Sequence, residues 1–230
     1  MRPAAAGAVL GLALAVGVPT AWELTRPSAA AGAAVVEALD APTPSSAVAP
    51  MPNRLPDRSL DRVPDRLPEA TARPAAPADA EAPPAPVRVR ADDLGIDAEV
   101  DAVGVERDGT MTLPDDVDRV GWYRFGPVPG EAGSAVLAGH VDDVEQGLGA
   151  LAPIRSAEVG QRLNVTDADG KKTRWQVVAR EVIRKKALPL DKLFRRDGPP
   201  RLTLITCGGP FLPEYLSYRD NVVVVAELLR

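Results

Sequence analysis

Leu202-Thr203-Leu204-Ile205-Thr206-Cys207-Gly208-Gly209 is an apolar run that delivers the sole cysteine of the chain to a pair of glycines. A short continuous apolar run closed by turn residues reads as a buried strand. Working outward, Val222 to Leu228 is a second such run, and Ser134-Ala135-Val136-Leu137-Ala138-Gly139-His140-Val141 is a third that ends at the sole histidine. Val87-Arg88-Val89-Arg90 alternates, Ile96 to Val105 is apolar, and Arg107-Asp108-Gly109-Thr110 is a turn signal. Arg162-Leu163-Asn164-Val165 and Thr173 to Ile183 flank Asp167-Ala168-Asp169-Gly170, a hairpin signal because Asp-Gly supplies the backbone freedom the turn needs. Leu148 to Ile154 is expected as a short helix ended by Pro153. Many strands with little helix predict an all-β class, a mostly antiparallel barrel or sandwich, rather than repeated βαβ units.

The rest of the chain differs in kind. About half of its 24 prolines lie between Pro27 and Pro86, and no aromatic residue occurs between Trp22 and Trp122. Such a stretch buries too little apolar surface to offset the entropy of ordering it. Residues 25–86 are therefore expected as a disordered Pro/Ala-rich linker, including the loose repeat Arg54-Leu55-Pro56-Asp57-Arg58 and Arg62-Val63-Pro64-Asp65-Arg66, and acting as an extended spacer. Pro3 to Trp22 carries no charge and follows Arg2. Its length suffices to cross a hydrocarbon core, so residues 1–24 are expected as an uncleaved membrane anchor. A signal peptide cut near Ala29-Ala30-Ala31 is the alternative, disfavoured because the apolar run exceeds the usual h-region. Both readings export residues 87–230, the expected catalytic domain.

Composition narrows the chemistry. A net charge of −5, from 27 basic and 32 acidic residues without a basic aromatic stripe, argues against nucleic acid. One cysteine closes no internal disulfide, and one cysteine with one histidine makes no four-ligand zinc site. No cofactor or metal is expected. Exported proteins pair or avoid cysteine, so an unpaired one needs a reason, and nucleophilic reactivity is one. A free thiol has a pKa near 8.5 and needs a nearby cation or base to react at neutral pH. His140 and Arg219 are the candidates. Thr203, Ile205 and Cys207 share one strand face, and Arg219 shares parity with Asn221, Val223 and Val225, so pairing of the two strands brings arginine toward cysteine. Gly208 and Gly209 let backbone N–H groups approach an oxyanion.

Leu204-Ile205-Thr206-Cys207-Gly208-Gly209, then Tyr218-Arg219-Asp220-Asn221-Val222-Val223-Val224, with Ala138-Gly139-His140-Val141-Asp142 upstream, resembles the sortases, most closely their class F type. The resemblance implies a closed eight-stranded β-barrel with short helices. It also implies a membrane-tethered enzyme outside the cell, acting by cysteine transpeptidation on a Leu-Pro-x-Thr-Gly-like sorting signal and passing it to an amine acceptor of cell wall or pilus. On it, Cys207 matches the nucleophile, His140 the general acid, and Arg219 the cation that steadies substrate and oxyanion; Thr206 and Gly208 fall at the oxyanion site. Arg184 to Pro200 resembles the family's substrate-selecting loop. Two other classes compete: an L,D-transpeptidase, disfavoured because that pattern has a serine and a glycine just before the cysteine whereas here Thr206 precedes it and Gly208 follows, and an idle surface β-barrel that only binds.

Overall fold

Burial along Ile96–Val103 alternates, with Ile96, Ala98, Val100 and Val103 buried and Asp97 and Glu99 exposed. That period of two is the mark of a strand with one packed and one solvated face. The computed structural model describes residues 28–42 and 83–229. In chain order they form β1 (Ala30–Gly32), α1 (Val35–Asp40), β2 (Pro86–Ala91), β3 (Ile96–Val103), β4 (Val120–Tyr123) and β5 (Ser134–Ala138). The two-residue strands β6 (Asp142–Asp143) and β7 (Gly147–Leu148) follow, then β8 (Arg162–Asp167), β9 (Lys172–Arg184), the one-turn α2 (Leu190–Leu193), β10 (Arg201–Leu212) and β11 (Ser217–Leu229).

Eight of these close into a barrel. The order runs β9-β11-β10-β5-β4-β3-β2-β8, and β8 pairs back onto β9, so no edge is left along this ring. Only β3 with β4 and β5 with β10 are parallel. The expectation of a mostly antiparallel closed barrel with short helices therefore holds. Its interior is filled from every strand, with Leu137, Leu163, Trp175, Leu202 and Leu204 at or below 1% exposure. Burying each such side chain stabilises the fold by roughly 1.5–3 kcal/mol.

Three details differ from the sequence reading. Residues Ala152–Ser156 form a 3-10 turn that Pro153 opens rather than ends, because the fixed φ and missing N–H of proline suit a first turn. Cys207 does not end its strand: β10 runs on to Leu212, and the Gly208↔Asp220 and Phe211↔Tyr218 pairs bracket a bulge. Gly209, at φ 71°, takes the left-handed conformation there.

The third difference concerns the linker expected over 25–86. Residues 28–42 fold: β1 adds to β9, and Val35, Ala38 and Leu39 of α1 are buried against Ala179, Leu193, Val223 and Val225. Averaging composition over a long Ala- and Pro-rich stretch hides an apolar triplet at the i, i+3, i+4 spacing of one helix face. The Arg54 repeat and the apolar run Pro3 to Trp22 lie outside the described residues. Among those described, no helix is long and apolar enough to cross a membrane.

Candidate active site

The site begins with the parallel pair β5 and β10. Ala138 pairs with Ile205, the Gly139 N–H donates to the Ile205 carbonyl at 3.1 Å, and the Thr206 hydroxyl donates to the Gly139 carbonyl at 2.8 Å. The paired register ends at Ala138 and Ile205; Ala138 and Gly139 line the same pocket as Cys207, and His140 is the next residue of that chain segment. On its other side Cys207 pairs with Asn221 of β11. Both His140 and the free Cys207 are half-buried.

Faces of β10 divide the labour. Leu202 and Leu204 point into the barrel; Ile205 belongs to the outer cluster with Val223 and Val225. Cys207 shares parity with Ile205, so the thiol sits on the outer face. It borders a pocket of about 520 Å³ walled by Val105, Met111, Leu113, Tyr123, Leu188 and Phe194. An apolar pocket with a nucleophile at one end can hold an apolar side chain of a peptide while its backbone crosses the sulfur.

Arg219 sits on β11 two residues before Asn221, the partner of Cys207. It lies across the bulge from Gly209, and it does not line the cysteine pocket. Its Nε and Nη2 each donate to the Asp220 carboxylate at 2.9 Å. Asp220 is buried, and the Arg219 hydrogen bonds lower its pKa while raising that of the arginine. One edge of the guanidinium is thus held, and Nη1 donates to no other described residue. Gly208 has a packing reason as well as a chemical one, since a Cβ there would come within 2.7 Å of Val222 Cγ2. The Thr206 hydroxyl is committed to the Gly139 carbonyl, so Thr206 secures the strand that carries His140.

Two residues were not singled out as site residues from the sequence. The Tyr218 hydroxyl donates to Asp142, joining β11 to the segment just after His140. That bond raises the phenol's pKa first, followed by burial, the charge of Asp142 and, further down, that of Cys207. Asp143 next door has its pKa lowered chiefly by the N–H groups of Glu145 and Gln146, with the charge of His140 adding. Tyr218 and Asp142 are 76 positions apart, and no periodicity in the sequence links them. Among the described residues no group of three or more His, Cys, Asp or Glu side chains converges as a metal site.

The closed β-barrel carries its free cysteine on the outer face, at the border of a largely apolar pocket. The family described as "Sortase domain" matches residues 89–229, and this chain belongs to the sortase family, a family of cell-wall transpeptidases acting on sorting signals. Similar solved structures include sortase A of Listeria monocytogenes, 21% identical with a TM-score of 0.48 over 63% of this chain and 86% of that one. A lid mutant of sortase C1 from Streptococcus agalactiae is 20% identical, at 0.48, over 63% and 69%. Sortase C-1 of Actinomyces oris is 17% identical, at 0.48, over 63% and 73%. No curated protein matches the chain by sequence.

Proposed function

We propose that the chain is a class F-like sortase that cleaves an LPxTG-like signal through a thioester on Cys207 and transfers it to an amine. The observation that supports this reading is the free, half-buried Cys207 at a pocket that Ala138 and Gly139 also line, with His140 the next residue after them. The class assignment rests on the wording of the three motifs around His140, Cys207 and Arg219.

In the first step the Cys207 sulfur, as thiolate, attacks the carbonyl carbon of the threonine, and the C–S bond forms. Backbone donors near Gly208 and the free edge of Arg219 hold the oxyanion. The C–N bond then breaks as His140, protonated, gives its proton to the departing amine. An incoming amine attacks the thioester, passes its proton to His140, and the C–S bond breaks to restore the thiolate. Water in place of the amine gives hydrolysis.

Residues 1–24 are proposed to anchor the enzyme in the membrane, with the barrel outside. The docking of residues 28–42 changes how the anchor acts. Only residues 23–27 separate the apolar run from the docked chain, a reach of about 18 Å at no more than about 3.6 Å per residue.

Incubating the full chain with a pool of pentapeptide motifs and a glycine-based amine, and reading products by mass, tests the function. The expected product is a peptide joined to the amine after its threonine. A Cys207→Ala chain that still formed it would exclude the scheme.

A further inference from the structure

The segment from Ser28 to Pro42 is held by more than a short amphipathic helix requires. Gly32 of β1, at φ 81°, lies so close to β9 that a Cβ would stand 2.3 Å from the Val178 carbonyl oxygen. Ala34 offers no side-chain cap to α1, and Glu181 of β9 supplies one by accepting from the Val35 N–H at 3.1 Å. At the other end Arg201, 1% exposed, donates through Nε to the Ala38 carbonyl at 2.8 Å and through Nη2 to the Ala41 carbonyl. These are carbonyls of the last turn, which the helix itself leaves unsatisfied. Arg180, 3% exposed, donates to the Ser28 carbonyl at 2.7 Å. Two buried arginines spent on backbone carbonyls mark the segment as an integral part of the domain.

What this segment touches gives it a role. Leu39 and Val35 pack on Leu193, the last residue of α2, and on Val223 and Val225 of β11. Asp40 takes an ion pair from Lys192 and another from Arg195 Nη1 at 2.9 Å. Leu193, Lys192 and Arg195 belong to the β9–β10 loop, and that same loop presents Leu188, Leu190 and Phe194 to the cysteine pocket. Phe194 also meets the Tyr123 ring edge-on at 5.1 Å. The far end of the loop has a separate anchor, because the Ser134 N–H donates to the Arg195 carbonyl at 3.0 Å and the Gly133 N–H to the Gly198 carbonyl at 3.2 Å. The part lining the pocket, from Leu188 to Phe194, meets α1 through Leu193 and Lys192. No residue of 28–42 lines the pocket itself.

We propose that residues 28–42 are a positioning strap. By pinning Leu193, Lys192 and Arg195 from behind, they set where Leu188, Leu190 and Phe194 stand, and so determine how the apolar side chain of the peptide is gripped without approaching the thiol. This rests on the transpeptidase reading above. It predicts effects on peptide binding more than on bond breaking.

The test compares the full chain with its Asp40→Ala, Asp40→Glu and Leu39→Ala variants. Hydrogen exchange of amides 188–195, KM and kcat for the best peptide, and the iodoacetamide labelling rate of Cys207 are measured. Asp40→Ala is expected to speed exchange over 188–195 and raise KM about two- to fivefold, the scale of a partly exposed ion-pair network, with kcat and labelling unchanged. Asp40→Glu should restore both, and Leu39→Ala should act in the same sense and more strongly. Because Asp40 is half-exposed, its replacement leaves the barrel folded even if Leu39→Ala does not. Unchanged exchange over 188–195 in Asp40→Ala overturns the strap, as does faster exchange with an unchanged KM. A wild-type chain that cleaves no peptide sinks the transpeptidase reading alone, since the exchange experiment still reports on the strap.

Discussion

The two ends of the outer β10–β11 face make an instructive pair. At one end Thr203, Val223 and Val225 are fully buried, with α1 against the two valines. At the other, two to four residues along the same strands, Cys207 and Asn221 face an open pocket. Backbone and register are the same at both ends, and the difference is what covers them. Sulfur is accessible because the strap stops short, whereas the valines are core because it does not. Burial of an outward strand face is therefore set by a neighbour from elsewhere in the chain.

The largest effect should come from the open end. Cys207→Ala and His140→Ala should each reduce transpeptidation to background, and the double variant should lose no more than either alone, since residues acting as a unit are not additive. Circular dichroism unchanged in both would show that the covered end does not depend on the open one. Arg219→Lys should follow, with a loss of roughly tenfold or more in kcat/KM, because a lysine keeps the charge but not the planar fork whose one edge binds Asp220 and whose other edge is proposed for the oxyanion.

Strands, hairpin and barrel were legible because alternation and apolar runs depend only on local sequence, and Cys207 and His140 stand out as candidates because each is unique in the chain. The strap was not legible. Val35, Ala38 and Leu39 gain meaning only from Leu193 and Val223, and the arginines that hold the segment, Arg180 at Ser28 and Arg201 at the end of α1, read as ordinary charges on strands. The position of Arg219 was half legible: parity placed it on the face of Cys207, but the Gly209 bulge and the carboxylate of its own neighbour, which turn the guanidinium aside, have no signature in a strand pattern.

Asp220→Asn sharpens the comparison through pH. The Arg219 hydrogen bonds lower the pKa of Asp220 in the folded chain, so this pair's contribution is complete above the unfolded carboxylate value of about 3.9. It is lost as pH falls through the lower folded value, where the carboxylate takes up a proton. The variant should have a lower urea midpoint than wild type at pH 7, and the gap should close as both are titrated toward pH 2. A gap independent of pH would mean that the carboxylate's shape, rather than its charge, holds the bulge.

The smallest effect expected is at Tyr218, and it asks how the open end keeps its histidine in place without a cover. Asp142 stands two residues after His140, and the Tyr218 hydroxyl reaches it from β11. Phe in place of Tyr218 leaves the edge-on contact with Phe211, at 5.3 Å, intact. Only the hydrogen bond is removed, a loss of about 1 kcal/mol or about fivefold in kcat. Asp142→Asn keeps an acceptor for the phenol and should cost less. If the bond acts by steadying the histidine segment, Tyr218→Phe should lower kcat with little change in KM, opposite to Asp40→Ala. Tyr218→Phe combined with Asp142→Asn should then lose almost nothing beyond Tyr218→Phe alone. Additive losses would place the two side chains in separate roles, leaving the Thr206 bond to the Gly139 carbonyl as the tie that orders His140.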